Sequence, residues 1–281
     1  MFYFMNNLFS YKNIFLVLFL VAGLMISCKE EVQPIDNDNE ADSLNVENNT
    51  DNSMMFKLPS PVELYIFLWE DDVKFDGTLL NSTETAGNYI TTYKKAINFG
   101  IYSSDLAYCT VYGKNQQTFN YFTTAKQIAD DIGLMEGFDE TFAKKIDENI
   151  NNADSLYKFS TESYSTAITY LENIEQDNLL PFIITGAWLE SLYIAINSID
   201  KFSFENPTIM RVAEQQMLLE NLIDYFITLP KDEQINELYN SLLDIQDSYD
   251  KLYDNVEEIM TEEQFNEILS KVNKVRNNIV S

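Results

Sequence analysis

The chain has 281 residues, a net charge of −27 and no histidine, which excludes His-based triads, His general bases and His-ligated zinc or haem. Eight glycines and six prolines make up about 5% of the chain against roughly 12% in average usage, so sandwiches, barrels and collagen-like repeats are disfavoured and long helices favoured. The two cysteines, Cys28 and Cys109, supply neither a zinc ribbon nor a disulfide framework, and a negative field of this size repels nucleic acid and anionic headgroups.

The amino terminus places Lys12 before an apolar run from Ile14 to Ile26, followed by Ser27-Cys28. A basic segment and a short apolar one form a secretory signal, too short to span a bilayer comfortably. The ending Leu24-Met25-Ile26-Ser27-Cys28 resembles a bacterial lipobox, with Met25 and Ile26 looser than the usual residues. The resemblance implies that residues 1–27 are a lipoprotein signal peptide, and that Cys28 carries a diacylglycerol thioether and an N-acyl chain such as palmitate. At about 0.8 kcal/mol per buried CH₂, several such chains anchor a protein permanently. Lys29-Glu30-Glu31 resembles the Lys-acid-acid export tag of Bacteroidota surface lipoproteins, which implies an outer-membrane protein facing outward. Residues 29–57 then hold eight acids and two lysines among Asn, Asp and Ser. Such a segment cannot offset its ordering entropy, so residues 28–57 are expected to be a lipidated, acidic stalk with a reach on the order of 30 Å.

From residue 58 to 281 the pattern predicts one all-α domain, a bundle of about eight to nine helices. Ser60-Pro61 opens a short helix to about Trp69, with proline in the first turn, and 71–82, containing Gly77, is a loop. A long helical region from about Thr83 to Tyr112 is expected to break near Asn98-Phe99-Gly100. The next helix, about Gln116 to Ile132, puts Phe119, Phe122, Ala125, Ile128, Ala129 and Ile132 on one face, with Gly133 as its C′ residue. Asp139 caps a helix to about Asn151, and Asp154 starts another to about Glu175. The stretch Leu179 to Ile199 carries Glu190 as its one charge and is apolar all round. Pro181, Thr185 and Asn197 interrupt it, so it reads as a buried central helix rather than a membrane span.

Asn206-Pro207 starts a helix that ends at Pro230. Ile235, Leu238, Leu242, Ile245, Tyr249, Leu252, Val256 and Ile259 then recur at steps of three and four. A capping box, Thr261 with Gln264, opens a last helix whose Phe265, Ile268, Val272, Val275 and Ile279 continue the rhythm. The two form an antiparallel hairpin along these seams. A weak internal echo joins Gly100-Ile101-Tyr102 and Leu106 to Gly186-Ala187-Trp188 and Leu192, at an offset of 86. Two helical units packed about a pseudo-twofold would produce it.

Without histidine, proton chemistry would fall to carboxylates, tyrosine or lysine. Asp105 and Glu190 stand out because each lies in an apolar helix, where an unpaired carboxylate costs several kcal/mol. One reading is a ligand pocket between helices lined by Asp105, Tyr108, Trp188 and Glu190, with Tyr102 and Tyr193 beside them. The other is a core ion pair or tyrosine network, with Lys94, Lys95 or Arg211 as the partner, since the second arginine, Arg276, lies near the carboxyl terminus. Cys109 reads as an inert buried thiol. The acidic pairs Asp71-Asp72, Asp130-Asp131, Glu257-Glu258 and Glu262-Glu263 lack the alternating oxygen ligands and central glycine of a calcium loop and read as solvated faces. No Gly-rich phosphate loop, GxSxG elbow or HExxH is present, and no cofactor or metal is expected.

Pro59-Ser60-Pro61-Val62-Glu63, together with Asn98 to Tyr108, resembles an uncharacterised family of Bacteroidota outer-membrane lipoproteins over residues 58–200. The resemblance implies an outer-membrane location and an all-helical fold, and brings no activity. Imelysin-like lipoproteins carry GxHxxE, but Trp188 and Ser191 stand where its His and Glu would, so that activity is not carried over. The expected function is non-catalytic: a lipid-anchored surface module that meets an envelope protein partner through its bundle and the membrane through Cys28. A surface binder of a small molecule or glycan is the alternative.

Overall fold

The chain parts into two units, Met1–Thr50 and Asp51–Ser281. In a computed structural model the described residues are 61–134, 148, 177–256 and 259–281, all in the second unit. Besides the helical Glu148, seven α-helices with described bounds and no strand occur among them: α1 Pro61–Glu70, α2 Thr92–Val111, α3 Asn115–Asp131, α4 Leu180–Asn197, α5 Pro207–Thr228, α6 Glu233–Tyr249 and α7 Glu262–Val280. This is the expected all-α bundle. Residues 28–31, with the lipidation and export-tag positions Cys28, Lys29, Glu30 and Glu31, lie outside the described residues, as do the helix expected over 154–175 and, apart from the helical Glu148, the one expected over 139–151.

The helix ends are set by the chemistry read from the sequence. Pro61 and Pro207 occupy first turns, and the Asn206 side chain accepts from Thr208 N at 2.9 Å. Asp232 caps α6 by accepting from Ile235 N at 2.7 Å. Thr261 and Gln264 bond reciprocally to each other's backbone N–H groups, so the capping box is real. Gly133, at φ 77°, follows α3, and Leu134 N returns to Ala129 O at 2.8 Å. A Cβ would oppose that left-handed conformation.

Helices α2 and α4 are the central pair. Helices α1 and α3 pack on α2, α5 and α7 pack on α4, and α6 joins α5 to α7. α4 is long and apolar enough to cross a membrane, yet 89% of it is buried inside the bundle, as expected of a central helix. Its contact with α2 is made by glycines. A Cβ on Gly100 would lie 2.1 Å from Ile183 O and 2.8 Å from Ala187 N; one on Gly186 would lie 2.0 Å from Ile97 O and 3.2 Å from Ile101 N. Each glycine therefore faces the carbonyl three residues before, and the amide one residue after, the other glycine. The echo at an offset of 86 is thus a two-fold symmetric crossing at which two backbones touch.

Three expectations change. No break occurs at residues 98–100: α2 runs through Gly100, and the interruption lies at 89–91, where Thr91 caps α2 by accepting from Lys94 N at 3.2 Å. Gly100 spares space for a neighbouring helix rather than ending its own. On α3, Phe119 is 63% exposed while Thr118, Tyr121 and Thr124 face inward, because the Tyr121 hydroxyl bonds to Asn81 O at 2.8 Å. The α6 seam is buried only as far as Tyr249. A 3₁₀ turn, Asp250–Asp254, ends it, leaving Val256 and Ile259 exposed.

Candidate functional site

Asp105 lies five residues after Gly100 and Glu190 four after Gly186, so each is about one turn beyond the crossing on its own helix. The glycines bring the backbones together, and the two carboxyls meet just past them, both fully buried. The counterpart of Glu190 on α2 is Ser104, whose hydroxyl bonds to the Tyr65 hydroxyl at 2.7 Å. The local symmetry of the crossing is broken at this point, where one helix carries a neutral hydroxyl and the other a charge.

Arg276 of α7 answers that charge. Its Nε donates to Glu190 Oε2 and its second terminal nitrogen to Oε1, both at 2.8 Å, and the guanidinium lies 4.5 Å from the Tyr193 ring centroid. A planar fork on a carboxylate is the geometry arginine offers and lysine does not. The partners expected from the sequence are elsewhere. Arg211 pairs with Glu214 at 2.7 Å and lies over the Phe67 ring, Lys95 pairs with Asp131, and Lys94 is exposed.

Asp105 accepts from Asn81 N at 3.1 Å through Oδ2; its Oδ1 is buried without a hydrogen-bond partner, and the neighbouring buried Glu190 carboxyl acts on it. Burial, then the Glu190 charge, hold Asp105 well above the usual carboxylate range, against the opposing pull of Arg276. Burial raises Glu190 too, but the Arg276 hydrogen bonds oppose it. One guanidinium thus serves two carboxyls, and burial together with the Glu190 charge favours the neutral form of Asp105. Arg276 loses some preference for its charge by burial and regains more from Glu190.

Of the four residues read as a candidate pocket, the structure joins only Asp105 and Glu190. Tyr108 belongs to an aromatic cluster under α1, stacked on Phe75 at 4.9 Å and tilted to Tyr65 at 5.1 Å. Trp188 is buried in the main core, its indole N–H without a protein partner. The groups on which Asp105 acts are instead Tyr65, Tyr102, Tyr121 and Tyr193, all raised chiefly by burial.

Sequence reasoning missed Arg276, although a signal was present: it lies four residues after Val272 and three before Ile279, on the seam of α7. Among the described residues no group of three or more Cys, Asp and Glu is placed to hold a metal ion. Cys109 is buried and free, and burial pushes its thiol up, which opposes nucleophilic use. Of the acidic pairs, Glu262-Glu263 sit in the first turn of α7, where the helix dipole favours them; Glu257-Glu258 lie outside the described residues. No protein-family model, curated protein or solved structure matches this chain.

Proposed function

We propose that this is a non-catalytic, lipid-anchored outer-membrane or cell-surface protein, held by Cys28 and an acidic stalk, whose helical bundle is an interaction or envelope-assembly module. The observation that supports this reading is the closure of its most reactive-looking groups on one another. Glu190 is taken up at both oxygens by Arg276, and Asp105 is fully buried between Asn81 and Glu190. A catalytic carboxylate has to reach substrate, and these are committed to joining α2, α4 and α7. Exposed Met210, Met217, Tyr253 and Val256 are contact surface a protein partner would use.

The test uses the full-length gene in a Bacteroidota host. Palmitate labelling of the wild type, its loss in Cys28→Ala, and cleavage of the protein by protease added to intact cells are the expected results. Cross-linking on whole cells then yields a defined second protein. Labelling that persists in Cys28→Ala refutes the anchor, and protection from protease refutes surface display. Native mass spectrometry of protein released from the envelope distinguishes the module from the glycan or small-molecule binder: a reproducible non-protein mass would establish the binder.

A further inference from the structure

The segment between α1 and α2 lies across the carboxyl pair, and side chains from below hold its backbone. Tyr112 donates to Val73 O at 3.0 Å, Tyr108 accepts from Asp76 N at 3.0 Å, and Tyr102 donates to Ser82 O at 2.7 Å. Asn81 is held at three points. Its N–H donates to Asp105 Oδ2, its carbonyl accepts from Tyr121, and its side chain donates to the Tyr89 hydroxyl at 3.2 Å. Tyr89 in turn reaches Val280 O at the end of α7 at 3.5 Å. The strap is therefore tied to the C-terminal helix at its edge by Tyr89 and through the interior by Asp105, Glu190 and Arg276.

We propose that Asp105 is a proton-locked latch: as a neutral acid it joins the strap at Asn81 to the Glu190–Arg276 pair on α4 and α7, and loss of its proton releases the strap. With the proton, Asp105 accepts from Asn81 and donates to Glu190, so each polar group in the line has a partner. Without it, two carboxylates face one another with one guanidinium, and the donor to Glu190 is gone. The link breaks at its middle, leaving Arg276 on Glu190 while Asp105 turns toward incoming water and carries Asn81 with it, and the strap opens as its tyrosine bonds to Val73, Asp76, Asn81 and Ser82 give way.

The groups facing Asp105 are Glu190 and Tyr193 from α4, Arg276 from α7, Tyr65 from α1, Tyr121 from α3, and Tyr102 and Cys109 on α2 itself. Burial raises each of these tyrosines and the thiol, and Arg276 keeps its charge. On this proposal the carboxyl pair is the part of the cluster that titrates first as pH rises. Opening releases one proton, so between the ordinary carboxylate range and the raised value of Asp105 the opening constant rises about tenfold per pH unit.

Hydrogen exchange of the full mature chain, corrected for intrinsic rates, tests this from pH 5 upward. Protection over 73–91 is expected to fall about tenfold per pH unit in the wild type while α5 holds. Asp105→Asn keeps an acceptor for Asn81 and a donor for Glu190, so its strap should stay protected and indifferent to pH. Equal pH dependence in both proteins would overturn the latch. Infrared spectroscopy supplies a check that does not need the variant to fold: the wild type at neutral pH should show the carbonyl band of a buried, protonated carboxylic acid, fading as the strap opens. Absence of that band at neutral pH would overturn the proposal as well.

Discussion

Alanine at Gly100 or Gly186 would stabilise an isolated helix by about 1 kcal/mol; here the sign should reverse. The new methyl carbon at Gly100 falls 2.1 Å from Ile183 O, roughly 1.3 Å inside ordinary contact. The obstacle is the backbone of a buried helix, which cannot turn aside as a side chain can. Relief requires α2 and α4 to separate at their closest approach, loosening the core on both sides. We expect a net loss of about 2–3 kcal/mol for either substitution, or a fall of about 5–10 °C in Tm for a domain of this size. Urea unfolding followed by circular dichroism measures it. Both methyls demand the same separation, so the double variant should cost less than the sum of the singles. Net stabilisation by either alanine, or strict additivity, would refute the close crossing.

Glu190→Leu leaves Arg276 buried without its anion and should cost about 3–5 kcal/mol, whereas Glu190→Leu with Arg276→Met should recover most of that; chemical denaturation of the three proteins decides. Cys109 should resist a thiol reagent in the folded protein and react fully once unfolded, since it is buried; stoichiometric labelling without denaturant would contradict this. The Glu267 carboxyl, held down to about 2 chiefly by Lys251 and Ser248, binds fewer protons folded than unfolded between about pH 4.5 and 2. Its stabilising contribution is therefore present above that window and lost as pH falls through it. Glu267→Gln should flatten the acid limb of stability there, measured by thermal melts across pH; an unchanged limb would count against the Lys251–Glu267 bridge.

The helix caps were legible in the sequence because they depend on neighbours in the chain: Asn206-Pro207, Thr261 with Gln264, and Gly133 each act within a turn. The central helix was legible because α4 is apolar on every side. What depended on distant residues was read less well. Gly100 carries the same local signal as a helix breaker, and only Ile183 and Ala187 across the crossing show why it sits mid-helix. Phe119 and Val256 fit their apolar rhythms, yet tyrosine bonding on α3 and the 3₁₀ turn after α6 turn them outward. At the site, both buried carboxylates were visible as lone charges in apolar helices. Their partner was not, because Arg276 comes from the far end of the chain, and only its place on the α7 seam marks it as buried.

The glycine crossing has a further consequence for the order of assembly. Gly100 and Gly186 are 86 positions apart, so the contact at the centre of the bundle closes a long loop before it returns any stabilisation. α1, α3 and the strap can gather around α2 as soon as they exist, but the groove on α2 that receives α4 stays open until residues 180–197 arrive. A chain cut short before α4 would present that groove, with Asp105 at its floor, to whatever surrounds it. Docking of α4 on α2 sets the helix register on which the later pairing with α7 depends: a slip of a single turn would drive a side chain into the backbone and strand Glu190 away from Arg276.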